Sequence, residues 1–207
     1  MNVGRAMLPI LALACMTVAQ ERMPPIPADK LTPAQQDAAR QLAATPRGNR
    51  ISGPFVALLR SPEFMNRLQK TGEYLRYQSS LSGKIREFTI LMTARQWDQQ
   101  YEWNAHYPLA IREGLGKEKA VAIATGKRPE GMLDDEDSAY DFVNELLKTK
   151  HVSDATYARA IGKFGEQGVI DITGLTGYYS AIGMILNVAR TPVSATSDAP
   201  KLLPLSK

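Results

Sequence analysis

One stretch, Glu87-Phe-Thr-Ile-Leu-Met-Thr-Ala-Arg-Gln-Trp-Asp-Gln-Gln-Tyr-Glu-Trp-Asn-Ala-His106, constrains the fold more than any other. Its apolar residues recur at helical spacing on both sides of Trp97 and Asp98, so it reads as two helices meeting at a tight turn. Asp98 is placed to cap the second helix by accepting from its free N–H groups. If the helices fold back as a hairpin, Glu87 and His106 lie opposite each other, each roughly 14 Å from the turn at about 1.5 Å of rise per residue. Glu102 and His106 are four apart and share one helical face, with Gln99 a turn before them. Two carboxylates and an imidazole would then converge inside an apolar layer, which makes them a candidate acid/base site.

The rest of the chain reads as helices that could pack around this hairpin. Thr32-Pro33-Ala34-Gln35 combines an N-cap, a proline at the first helical position and a capping-box glutamine, and opens a helix to about Ala44. Ser52-Gly53-Pro54 starts a short helix with Phe55, Leu58 and Leu59. Ser61-Pro62-Glu63 caps the next, whose Phe64, Met65, Leu68 and Leu75 form an apolar stripe. Ser82-Gly83 opens the helix of Glu87, where Ile85, Phe88, Ile90, Leu91 and Met92 leave little polar surface and predict burial on most sides.

Pro108 removes a backbone donor from the second hairpin helix, which ends at Glu113-Gly114. A short helix follows over Lys117 to Thr125. The acids Asp134 to Asp137 suit the positive end of a helix running to about Lys150; they lack the spacing of a calcium loop and are expected to be solvated. Ser153 caps a helix to about Glu166. The last helix, Val169 to Ala189, carries Gly174, Gly177 and Gly183, at which another helix could approach closely. No segment alternates with a sustained period of two, so the prediction is all-α, with eight or nine helices.

Residues 1–19 differ in kind: Arg5, an apolar run from Met7 to Met16, and Thr17-Val18-Ala19 resemble a cleaved secretory signal. The run is too short for a stable membrane span, and the expected location is the periplasm. Residues 20–30 form a proline-rich lead, 31–190 the helical domain, and 191–207 a loose tail. The single cysteine, Cys15, lies in the leader, where lipidation is conceivable but Ala12 is a poor match three positions before it. A chain cleaved after Ala19 has no cysteine, which excludes disulfides, thiolate metal sites and thiol peroxidase chemistry. The net charge of +4, or +3 without Arg5, comes from scattered Lys and Arg and argues against nucleic acid as a partner.

The pattern Glu87, then Tyr101-Glu102-Trp103-Asn104-Ala105-His106, with Leu109-Ala110 and Gly114-Leu115 following, resembles the carboxymuconolactone decarboxylase family, which includes alkylhydroperoxidase D. The resemblance covers Phe55 to Thr125 well and the C-terminal third only loosely. It implies an alkylhydroperoxidase D-like helical domain built around an antiparallel helix hairpin, assembled as a trimer or hexamer. The peroxidase branch has a Cys-x-x-Cys pair where Gln99 and Glu102 stand and a histidine where Tyr101 stands. Glu87 and His106 alone match that branch's proton relay. The similarity therefore points to the decarboxylase-like branch, whose members are cofactor-free acid/base enzymes acting on small carboxylated lactones and related carbonyl compounds.

That chemistry needs a proton delivered to carbon by a group titrating near neutral pH, which suits a histidine. The expected roles are acid/base for His106, orientation for Glu87 and an auxiliary proton site at Glu102. Tyr101, Gln99 and Arg95 are candidate donors to an oxyanion or a substrate carboxylate. Glu87, Glu102 and His106 could instead hold a divalent metal, although the expectation is none. A different class of function is a non-catalytic exported binding or assembly protein on the same scaffold. A cavity reaching Glu87 and His106 would favour the enzyme, and one filled by Trp103, Tyr107 and Met92 the binder. Trp103 and Tyr107 otherwise read as core or interface, and His151 as solvated.

Overall fold

The computed structural model describes residues 20–45, 48, 51–193 and 197–203. The leader and Cys15 fall outside them. After a 3-10 turn at Ala28–Lys30 come eight helices: α1 (Pro33–Ala43), α2 (Pro54–Leu58), α3 (Pro62–Tyr77), α4 (Gly83–Gln96), α5 (Gln100–Arg112), α6 (Lys117–Ala124), α7 (Asp134–Thr149) and α8 (Asp154–Ala189). Among the described residues there is no strand, and the architecture is all-α.

Local signals account for most helix starts. Thr32 Oγ1 accepts from Gln35 N while Gln35 Oε1 accepts from Thr32 N, which closes the expected capping box. Ser82 and Ser153 cap α4 and α8 by accepting from Ile85 N and Thr156 N. Ser61 precedes α3 without a side-chain capping bond.

Helix α4 is the centre of the molecule and packs against α5, α6, α7 and α8. Every residue from Glu87 to Arg95 is buried, as its nearly continuous apolar sequence predicts. Phe88, Ile90, Leu91, Trp103, Ile172 and Leu175 are sealed from solvent, each such side chain contributing roughly 1.5–3 kcal/mol by leaving water. Trp103 is thus core and stacks on Tyr107. Phe64, expected in the α3 stripe, is instead 47% exposed, whereas Met65 and Leu75 carry that packing.

Helix α8 breaks at Gly165, whose φ of 67° and ψ of 177° lie outside the helical region and separate the two helices expected there. By length and composition α8 could cross a membrane, but within this fold it lies against α2, α3, α4 and α7. Asp171 on it accepts from Tyr74 Oη, Ser80 N and Ser80 Oγ at 3.1, 2.9 and 2.9 Å, which fixes α8 to the end of α3. Close approach occurs at Gly174 and Gly183, where an added Cβ would stand 3.1 Å from Leu75 Cδ2 and from Trp97 Cβ respectively; Gly177 faces open space.

Three local expectations are corrected. Asp98 does not cap α5: its φ is 49° and its carboxylate pairs with Arg95 at 2.9 Å, while Gln99 Oε1 accepts from Tyr101 N as the cap. The acidic start of α7 is not uniformly solvated, because Glu136 is 1% exposed and is held by Lys84, Lys119 and the Leu133 N–H. The tail is not wholly loose: Gln100 Nε2 donates to Pro200 O, Leu202 N donates to Gln100 Oε1, and Arg95 Nη2 donates to Leu203 O. The proline-rich lead is tied down too, with Arg22 N donating to Ala189 O and Arg60 Nη2 to Pro24 O.

Candidate active site

The hairpin of α4 and α5 brings Glu87 and His106 together. His106 Nδ1–H donates to Glu87 Oε2 at 2.6 Å, across the helix pair and 19 residues apart in sequence. On the other side of the ring, His106 Nε2 lies 3.4 Å from Glu102 Oε2, one helical turn back on α5. The side chains of all three are nine-tenths or more buried. Each ring nitrogen therefore faces its own carboxylate, and the imidazole keeps no free lone pair directed at a third group. Among the described residues, no cluster of His, Cys, Asp and Glu has metal-binding geometry.

Burial alone would lower the His106 pKa, because it penalises the charged ring. The bonds to Glu102 and Glu87, with the charge of both carboxylates, outweigh it and leave the pKa above its ordinary value. The ring is thereby poised toward imidazolium near neutral pH. Tyr179 of α8 meets it edge-on, with centroids 5.0 Å apart and planes at 85°.

A cavity of about 110 Å³ opens on this face, lined by Pro54, Arg76, Glu102, Ala105, His106, Leu109, Tyr178, Tyr179 and Ile182. His106 and Glu102 line it, and Glu87 stands behind the imidazole. Trp103, Tyr107 and Met92 do not fill it. Trp103 is in the core, Tyr107 lines a larger surface hollow with Asn104 and Asp198, and Met92 lines another with Arg95 and Tyr140.

The other sequence candidates stand elsewhere. Gln99 caps α5 and donates through Nε2 to Asn187 Oδ1 at 2.7 Å, clipping the hairpin turn to α8. Arg95 is committed to Asp98 and Leu203 O. Tyr101 lies over Gly53, whose bare α-carbon is required there, since a Cβ would come within 2.6 Å of the phenol oxygen. None of the three lines the cavity.

Arg76, Tyr178 and Tyr179 were not singled out by the sequence. They come from α3 and α8, far from the hairpin in the chain, and only the packing of those helices brings them to it. The visible signal was slight: Tyr178 and Tyr179 interrupt an otherwise apolar helix, and Gly72 on α3 leaves room for the Tyr178 hydroxyl.

No family model matches the sequence, and no curated protein is significantly similar to it. Among solved structures, the chain is similar to a protein of unknown function from Agrobacterium tumefaciens described as a candidate antioxidant-defence protein AhpD. The two share 14% identity with a TM-score of 0.55, over 67% of this chain and 95% of the other. With the helical architecture above, this defines an AhpD-like fold built on the α4–α5 hairpin.

Proposed function

We propose that the protein is a cofactor-independent acid/base enzyme, of decarboxylase or isomerase type, acting on a small carboxylated carbonyl compound or lactone. The observation that carries this reading is the buried Glu87–His106–Glu102 array, in which the imidazole and Glu102 face a cavity. Thiol peroxidase chemistry is excluded for the folded domain, because the chain's one cysteine is Cys15 and positions 99 and 102 carry Gln and Glu.

In a decarboxylation, the C–C bond to the leaving CO2 breaks and its electron pair moves onto the neighbouring carbonyl to give an enolate. The His106 imidazolium then delivers its Nε2 proton to carbon as the carbonyl re-forms. Glu87 holds Nδ1–H throughout, which fixes the ring orientation and stabilises its charged form. Glu102, beside Nε2, accepts a proton and returns it to the ring from solvent. In an isomerisation the same pair removes a proton from one carbon and returns it to another.

The test is incubation of the protein in deuterated water with small 3-oxo acids and unsaturated lactone acids, following CO2 release and deuterium at carbon. Wild type is expected to catalyse one or both, and His106→Gln to retain its helical circular dichroism and lose turnover. Turnover unchanged in His106→Gln, or none with wild type across the set, overturns the reading.

A further inference from the structure

The cavity beside His106 is also lined by polar residues that the acid/base array does not use. Tyr179 is 2% exposed and is one of the residues that line the cavity, and its buried hydroxyl has no hydrogen-bond partner. Arg76 also lines it; its Nε is buried without a hydrogen-bond partner, and its guanidinium lies over the Tyr77 ring at 5.1 Å, with no ion pair to a carboxylate among the described residues. Buried donors are rarely left without a hydrogen-bond partner. Both residues border the same small space.

We propose that Arg76 and Tyr179 form the substrate-recognition subsite: the Arg76 guanidinium takes the carboxylate of a small monoanionic oxo acid, and the Tyr179 hydroxyl donates to its carbonyl oxygen. The inference rests on the acid/base reading of the site and adds the substrate class to it.

Size and charge set that class. At about 30 Å³ for each water, the cavity of about 110 Å³ has room for about four, which restricts the ligand to a short-chain oxo acid. Among the lining residues Arg76 is the guanidinium, and Glu102 with Glu87 behind it supplies negative charge. One substrate carboxylate is compensated there and a second would be repelled. The planar fork of arginine fits a carboxylate with two parallel N–H donors. Burial keeps the Tyr179 phenol protonated well above its ordinary range, so that it stays a donor while charge develops on the carbonyl oxygen.

The experiment uses 4-oxopentanoate as a stable probe and its methyl ester as the uncharged control, titrated calorimetrically into wild type, His106→Gln and Arg76→Met. The acid is expected to bind wild type and His106→Gln with affinities within about threefold. The ester to wild type, and the acid to Arg76→Met, are expected at least tenfold weaker. Tyr179→Phe should lower kcat by about a hundredfold, the usual order for a lost oxyanion donor, and change KM little. The ester comparison needs no variant, so a misfolded Arg76→Met does not remove the test. Equal binding of acid and ester, or no binding of the acid, overturns the subsite. Binding through Arg76 without turnover of any carbon acid supports the subsite and removes the proposed function. His106-dependent turnover with an unchanged KM in Arg76→Met does the reverse.

Discussion

Glu87 Oε2 and His106 Nδ1 stand 2.6 Å apart across one turn of chain, Glu87 on the first helix of a hairpin and His106 on the second. Their meeting follows from the hairpin, with Glu87 ten residues before Trp97 and His106 eight after Asp98. Their burial follows from α4 having core on nearly every side. Glu87→Gln keeps the shape and an acceptor oxygen but removes the charge that favours the imidazolium. The expected outcome is a fall in kcat of two orders of magnitude or more with little change in KM, read by steady-state kinetics on the substrate that wild type turns over. An equal loss in both parameters would mark Glu87 as a binding group instead.

The same pair predicts a pH dependence of stability. The folded-state pKa of His106 lies above its unfolded value of about 6.5. Its contribution is therefore fully present below that unfolded value and is lost as pH rises through the folded pKa. Melting temperature measured across this range should fall more steeply with rising pH in wild type than in His106→Gln. The chain has two histidines, so imidazole NMR follows the His106 resonance directly, with His106→Gln giving its assignment. A His106 resonance titrating at or below the free-imidazole value of about 6.5 would contradict the assignment.

The hairpin, the α1 capping box, the buried α4 and the Glu87–His106 contact were legible because each rests on local spacing and helical period. What sequence missed depends on tertiary placement. Arg76 and Tyr179 reach the cavity only through the packing of α3 and α8. Gln99 and Arg95 have polar ends that suit a site, yet one caps α5 and the other holds Asp98 and the tail. Asp98 looked like the cap, but the turn places it at φ 49° and passes that role to the next residue.

Glu136 gives a prediction away from the site. Burial disfavours its charged form, but bonds from Lys119, the Leu133 N–H and Lys84 overcome that and hold its pKa below the ordinary glutamate value. Its contribution is present above the unfolded pKa and is lost as pH falls through the lowered folded value. Glu136→Gln strands the largely buried Lys119, whereas Lys84 keeps Asp135 at 3.2 Å, and breaking a buried pair from one side costs about 3–5 kcal/mol. Urea unfolding at neutral pH should show that loss, and the gap between variant and wild type should narrow under acid conditions. A constant gap down to the acid limb would mean that packing, not charge, holds α7 to α4 and α6.

Two glycines on α8 separate helix propensity from packing. Gly177 is exposed in mid-helix with open space where a Cβ would stand, so Gly177→Ala should raise stability by about 0.5–1 kcal/mol through backbone entropy alone. Gly183 is buried with Trp97 against it, and a Cβ there would sit 3.1 Å from the indole-bearing carbon. Gly183→Leu gains the same propensity but must push the hairpin turn away from α8, an overpacking cost of about 1–3 kcal/mol that outweighs it. The turn is also where Asn187 Nδ2 donates to Trp97 O at 3.0 Å and Gln99 Nε2 donates to Asn187 Oδ1 at 2.7 Å, so the displacement strains both bonds. Thermal unfolding should therefore move in opposite directions for the two variants. A stabilised Gly183→Leu would show that α8 does not clasp the turn that sets the Glu87–His106 register.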